Sequence, residues 1–253
     1  MQSSYASENS GREACSVYII ASTNRTGSYL LCEGLSATHI AGKPTESLYP
    51  EYYDKLCLPI YGHEVDLTEA IQVLIRHDNT PNGVFGAKVH WDQVESIACL
   101  SGYEGPSHTF LLKEFPSARY IYLTRRDTLA QAVSLSIAQQ TGKWWLLKGE
   151  DPSRWHTAKP VFDAEKILAL EQDLIRQNQA WEEFFQTEEI KPLRMEYETL
   201  VKNYRGEVGR TLDFLGLDPQ IAQTIPDPQL QKQGTELNKQ WLDLLRAPVK
   251  HAA

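Results

Sequence analysis

The feature that most constrains this chain lies near its beginning, where an apolar, β-branched run is followed by a short polar turn and then by a helical pattern. Ser16 to Ala21 reads SVYIIA, a buried strand by composition. TNRTG follows as a turn, and SYLLCEGLSAT places Leu30, Leu31, Gly34 and Leu35 on one helical stripe, with Ser28 near its start. A strand feeding a helix through so short a turn predicts a crossover unit, and with it a parallel sheet.

The rest of the chain repeats that alternation. A loop with Gly42, Pro44 and Pro50 spans 39–50, and Leu67, Ile71, Leu74 and Ile75 then mark a helix. The turn Asn82-Gly83 precedes a strand at Val84 to Val89, and helices are expected around Asp92 to Leu100 and Thr109 to Phe115. A second strand-to-helix crossing follows: Ala118 to Arg125 as strand, then a helix with Leu129, Val133 and Ile137 on one face. Residues 142–160 read as a loop holding Trp144, Trp145 and Trp155. Ala164 to Gln186 is a long helix striped by Ile167, Leu170, Leu174, Trp181 and Phe185. Pro192 to Tyr197 is a short strand, the apolar segment from Val208 a helix stopped by Gly216 and Pro219, and Trp241 to Arg246 a last helical piece. The expected fold is α/β: a P-loop-like, three-layer arrangement with a mainly parallel sheet flanked by helices, as one domain over 16–253 behind a disordered arm over 1–15.

Composition narrows the function. With 253 residues, 42% of them hydrophobic, the chain can bury one sizeable core, and a formal net charge of −8 opposes wholesale nucleic-acid binding. An anionic ligand must find a local pocket. The polar N-terminal segment has no signal-peptide core, and no apolar run reaches the roughly 18 residues of a membrane span, so a cytoplasmic protein is expected. Cys15, Cys32, Cys57 and Cys99 form no CxxC pair, and the seven histidines are scattered. Reduced, structural cysteines and metal-independent chemistry are expected.

In an open parallel sheet, ligands gather at the carboxyl ends of strands, and the loop after the first strand meets a helix N-terminus there. Thr23 to Ser28 occupies that position. Gly27 admits close backbone approach, Arg25 carries a permanent charge, and Thr26 and Ser28 add hydroxyls to their amides. The loop lacks the lysine and glycines of GxxxxGK[ST], which counts against a nucleotide triphosphatase. A strand-helix turn with an ordinary cap is the plain alternative.

The segment YIIASTNRTGSYLLCEGLSATHIAGKPTE resembles the opening of the Stf0 family of bacterial sulfotransferases. The resemblance continues in NGVFGAKVHWDQ and RRDTLAQAVSLSIAQQT, and more faintly in the FLGL and KQGTELNKQW regions. Thr26 stands where the family commonly has Ser, and Tyr29 where it often has Thr, forgoing a hydroxyl contact or supplying a different one. The resemblance implies 3′-phosphoadenosine 5′-phosphosulfate (PAPS) as donor co-substrate, bound at Arg25, Thr26, Gly27, Ser28 and Tyr29. It further implies direct in-line transfer, without a metal, to a hydroxyl of a small-molecule acceptor. It assigns the 3′-phosphate to an Arg at a strand end and a Ser on the next helix, which Arg125 and Ser134 match, with Arg126 the alternative. It assigns the base that takes the acceptor's proton to Glu46 in GKPTE, while His90 and His63 are the alternatives that other sulfotransferases suggest. Arg25 would stabilise charge on the leaving phosphate. Lys88 and Trp91 lie in the shared GxKxxW stretch, Lys88 as a charge facing the acceptor and Trp91 as packing or an acceptor platform. The resemblance is compatible with a homodimer and points to a sugar such as trehalose as acceptor, although the Trp-rich loop equally suits an aromatic or alkaloid-like metabolite. A nucleotide kinase-like phosphotransferase and a noncatalytic nucleotide-binding protein are the rival readings.

Overall fold

A computed structural model describes residues 16–46, 48, 67–151, 159–230 and 235–247. The expected arm over 1–15 and the positions of Cys15, Cys57, His63 and Trp155 lie outside them.

Four strands form the central sheet: β1 (Ser16–Ser22), β2 (Val84–His90), β3 (Arg119–Thr124) and β4 (Leu193–Glu196). Their spatial order is β2-β1-β3-β4, and every pairing is parallel. The chain therefore leaves β1 for a neighbour on one side and returns to a neighbour on the other. That reversal opens a crevice at the carboxyl ends of β1, β2 and β3, where a parallel sheet binds its ligands.

The helices are α1 (Ser28–Ala37), α2 (Leu67–Asp78), α3 (Trp91–Leu100), α4 (Ser107–Glu114), α5 (Thr128–Thr141) and α6 (Ala164–Thr187), then α7 (Tyr197–Lys202), α8 (Tyr204–Phe214) and α9 (Glu236–Arg246). A short 3-10 helix occupies Pro219–Gln223. Several boundaries differ from the sequence expectation, the last helix for instance beginning at Glu236 and not at Trp241. Tyr197 opens α7 instead of ending a strand, and α8 begins four residues before Val208, because its first turn is polar and carries no apolar period.

Period-two alternation divides β1 and β2 between two cores. Ile19, Ala21, Phe85, Ala87 and Val89 face one layer, packing on Ile71 and Leu74 of α2, Val94 and Ile97 of α3, Phe110 of α4 and Trp181 and Phe184 of α6. Tyr18, Ile20 and Val84 face the other, against Leu31 and Leu35 of α1 and Val208 and Leu212 of α8. The three-layer α/β architecture follows. Lys88 and His90 fall in the same register as Val84, so they point to the layer that holds α1. A third cluster joins α5, α6 and α9 through Val133, Leu135, Ile167, Leu174 and Trp241.

Among the described residues no helix is long and apolar enough to cross a membrane. Cys32 is buried and Cys99 exposed, both as free thiols, and burial pushes the Cys32 thiol up to about 12.

Candidate active site

The loop between β1 and α1 is shaped by its own backbone. Thr26 donates both its amide and its hydroxyl, at 3.3 and 2.9 Å, to the Thr23 carbonyl. Its hydroxyl, expected to serve a ligand, is instead spent on closing the turn. Arg25 adopts a left-handed φ of 66° and Gly27 one of 83°. For Arg25 this conformation costs about 1 kcal/mol, a strain usually retained only where geometry matters more than stability. At Gly27 a Cβ would lie 2.4 Å from Cδ2 of Tyr197, so glycine is required by both conformation and space. Gly27 is the N-cap of α1 and offers no side-chain cap, and Ser28 is the first helical residue. The first turn therefore directs its backbone amides out of the helix N-terminus, the arrangement that attracts phosphate-like anions.

Neighbouring elements hold this loop in place. Trp181 Nε1 donates to the Ser22 carbonyl at 2.9 Å, fixing the end of β1. The buried Gln131 of α5 donates through Nε2 to Thr23 Oγ1 and to the Asn24 carbonyl, at 2.9 and 2.6 Å. Asn24 Nδ2 reaches Asp92 Oδ2 at 3.2 Å, and burial raises the Asp92 carboxyl above its ordinary value.

Positive charge converges on the loop from two sides. Arg25 Nε donates to Ser134 Oγ at 3.1 Å, and its Nη1 to the Trp144 carbonyl. Arg125 Nη1 donates to the Arg25 carbonyl at 3.2 Å, while its guanidinium sits 5.0 Å from the Tyr197 ring centroid. Burial first, then the Arg125 charge, draws the Arg25 guanidinium down to about 10, against an opposing contribution from Tyr197. Two cations crowded at a helix N-terminus, one of them desolvated, are a fitted counterpart for a polyanion. Arg126 turns away: it pairs with Glu196 at 2.9 Å and Glu198 at 3.8 Å on the surface.

A second cluster forms across the crevice. Thr45 makes a parallel bridge to Ala87, and the Lys88 amide donates to the Thr45 carbonyl at 2.8 Å, so the chain after α1 runs briefly beside β2. This brings Glu46 onto Lys88 and His90. Lys88 Nζ pairs with Glu46 Oε1, His90 Nε2 lies 3.5 Å from the same oxygen, and Gln93 Nε2 donates to Oε2 at 3.3 Å. Gln93 also accepts from the His90 amide at 3.0 Å, and Ser22 Oγ and His90 Nδ1 are 3.0 Å apart. Burial would raise the Glu46 carboxyl, but the His90 hydrogen bond and the charge of Lys88 outweigh it and hold the group well below the usual carboxylate range. Lys88 is nearly inaccessible, whereas the Glu46 side chain is 40% exposed. The carboxylate is thus the member of the cluster that solvent or a substrate reaches.

Lys88 Nζ also lies 5.2 Å from the ring centroid of Tyr29, which links this cluster to the loop around Gly27. Trp91 is not part of it. Its side chain is buried, packed edge-on to Trp181 at 4.9 Å with its Nε1 on Glu95, so the structure gives it a packing place and no acceptor face. The crevice thus gathers Arg25, Gly27, Ser28, Tyr29, Arg125, Ser134, Glu46, Lys88 and His90. Gln93 and Gln131, which sequence reasoning missed, support it. Gln93 had a signal, its place three residues after the His90 cap of α3. Gln131 had none beyond being polar on a buried helical face.

The profile of the Stf0 sulphotransferase family matches residues 17–248. Two relatives, each a trehalose 2-sulfotransferase, are similar along nearly their whole length. The one from Mycobacterium tuberculosis is 29% identical, covering 91% of this chain and 94% of the relative. The one from Mycolicibacterium smegmatis is 30% identical, covering 90% and 94%. A sulfotransferase structure from Alicyclobacillus acidocaldarius aligns with 93% of this chain and 92% of its own at 13% identity and a TM-score of 0.46, too distant to bear on the site.

Proposed function

The chain belongs to the Stf0 sulphotransferase family and transfers a sulfuryl group from PAPS to a hydroxyl of a small molecule; from that premise we propose that the crevice described above is where it does so. The observation that carries the reading is the meeting, through Tyr29, of a two-arginine anion cradle and a carboxylate kept ionised. The cradle fits a doubly anionic nucleotide: the guanidinium groups of Arg25 and Arg125 meet beside the N-terminus of α1, and the Arg125 charge helps to lower the Arg25 value. PAPS, when bound, supplies an activated sulfuryl group on a phosphate leaving group.

The first turn of α1, with the amides of Gly27 and Ser28, holds the phosphosulfate end. Arg25 neutralises charge that develops on the leaving phosphate, a role for which its part-buried guanidinium, aimed by Ser134, is suited. Arg125 and Ser134 hold the 3′-phosphate. The surface ion pairs of Arg126 favour Arg125 over its neighbour for this task. Thr26 contributes by closing the loop.

Glu46 accepts the acceptor hydroxyl's proton. A carboxylate held low is a weak base, which suits a reaction whose nucleophile needs to lose its proton only late, as bond breaking to the leaving group leads. His90 Nε2 lies 3.5 Å from the same carboxylate oxygen that Lys88 pairs with and helps to fix the direction in which Glu46 faces the acceptor hydroxyl. Lys88 keeps the carboxylate ionised between turnovers.

The acceptor in this reading is a sugar, on the strength of the two trehalose 2-sulfotransferase relatives. Incubation with labelled PAPS and trehalose, with mass spectrometry of the products, should show one sulfuryl group gained on the disaccharide. The donor is tested separately: PAP (adenosine 3′,5′-diphosphate) should raise the melting temperature and ATP should not. A protein protected by ATP alone would revive the kinase-like reading.

A further inference from the structure

The side of the crevice beyond Lys88 is a short aromatic wall. Tyr29 and Trp145 stack with ring centroids 5.9 Å apart and planes only 10° from parallel. They remain 44% and 38% exposed, a high value for stacked rings beside a charged cluster. Glu46, Lys88, Tyr29 and Trp145 therefore form one row, leading from the carboxylate outward through an ion pair, a cation over a ring face and a ring stack.

The far end of the row is held by a device built from distant sequence. Glu33 lies one helical turn after Tyr29 on α1, and its carboxylate accepts from the backbone amides of Gln229 and Leu230, the latter at 3.2 Å. Leu230 in turn makes an antiparallel bridge to Leu147, and the Lys148 amide donates to the Gln229 carbonyl at 2.8 Å. The segment bearing Trp145 is thus tied back to α1, the helix that carries Tyr29. A carboxylate with both oxygens on backbone amides is a strong, directional clamp.

We propose that Tyr29 and Trp145 form the subsite for the second ring of a two-ring sugar acceptor, and that Glu33 is the positioning residue that keeps Trp145 in that wall. The inference rests on the sugar reading given above. A pyranose ring presents apolar C–H patches on its faces and hydroxyls at its rim, so it can lay a face on aromatic carbon while its hydroxyls reach water. With the reacting ring at Glu46, the next ring of a disaccharide falls along the row, where both aromatic side chains offer exposed carbon. A single-ring sugar ends before it.

The test compares wild type with Trp145→Ala, Trp145→Phe and Glu33→Ala, using PAPS as donor and trehalose as acceptor. In Trp145→Ala the KM for trehalose should rise about fivefold to tenfold, the range an aromatic stacking contact is worth, with kcat and the PAP dissociation constant changed by less than about twofold. Glucose, measured as an inhibitor of trehalose sulfation, should keep its inhibition constant. Trp145→Phe should recover most of the loss, and Glu33→Ala should show the same selective rise while still binding PAP, which also demonstrates that it is folded. An unchanged KM in Trp145→Ala, or a rise matched by weaker PAP binding, overturns the subsite and moves the wall to the donor. A normal KM in Glu33→Ala overturns the clamp. Wild type that binds PAP yet sulfates no trehalose defeats the sugar reading itself, a result distinct from all of these, and the subsite falls with it.

Discussion

The two poles of the crevice are built by different means. The donor pole has a local core, to which Arg125 and Ser134 are added from a distance: within six residues, Thr23 to Ser28, the backbone closes a turn, enters the left-handed region twice and starts a helix. The acceptor pole is assembled from afar, since Glu46 meets Lys88 and Gln93 across 42 and 47 residues through the bridge between Thr45 and Ala87. One pole draws on backbone amides and fixed arginine charge, neither of which titrates near neutrality. The other relies on a carboxylate whose state depends on its neighbours. Binding and proton transfer should therefore separate under mutation.

The sharpest separation is expected from Glu46→Gln, which keeps the shape and removes the base. kcat should fall by about 10² to 10⁴, the usual contribution of a positioned base, while PAP binding measured by calorimetry stays within about twofold. Comparable losses in both would mean that the poles are not independent. Arg25→Ala attacks the other pole and should lower kcat/KM by about 10² to 10³, with a loss of PAP affinity, because its charge acts on the leaving group as well as in the ground state. Gly27→Ala should behave similarly for a steric reason, since its Cβ meets the Tyr197 ring.

A finer division lies within the donor pole. Arg125→Ala should weaken PAP binding about tenfold to a hundredfold, the worth of a charge-assisted hydrogen bond pair, and Arg126→Ala should leave it nearly unchanged. The reverse order would return the 3′-phosphate to Arg126 despite its pairing with Glu196 and Glu198.

The same contrast explains what could be read in the sequence. β1, its loop and α1 were legible because an apolar run, a glycine and a helical stripe are local statements, and all of them fall within Ser16–Ala37. Arg125 and Ser134 were singled out by the resemblance, and their approach to Arg25 has its physical reason in the parallel sheet, whose strand ends share one edge. The choice between Arg125 and Arg126 was not legible, because it depends on which of two adjacent side chains β4 and α7 neutralise. Glu46 was reachable only by resemblance, since nothing in GKPTE announces that it will lie beside β2. Trp91 shows the limit most clearly: at the carboxyl end of β2 it could have faced the crevice or α6, and the packing surface of Trp181 decided for α6. Where a side chain's direction is set by a partner helix 90 residues away, periodicity in its own segment carries no information about it.

The smallest expected effect probes how the acceptor pole is tuned. Glu46 is held below the ordinary carboxylate range by His90 and Lys88 against the opposing pull of burial. A carboxylate whose value is depressed on folding contributes stability above its unfolded value and loses it as pH falls through the folded one. Activity that requires the ionised form should likewise persist to low pH in the wild type. Lys88→Met removes a positive neighbour and leaves burial in place, so the Glu46 carboxyl must move upward, by roughly 1 to 3 units for the loss of an adjacent opposite charge. The acid limb of kcat/KM, followed from the lowest pH at which the protein stays folded up to about pH 7, should shift upward, toward the ordinary carboxylate value near 4.3. At pH 8 the variant should retain most of its activity, because Glu46 is then ionised with or without Lys88. A uniform loss at every pH would instead assign Lys88 a direct hand in transfer, and the acceptor pole would then share the fixed-charge character that distinguishes the donor pole.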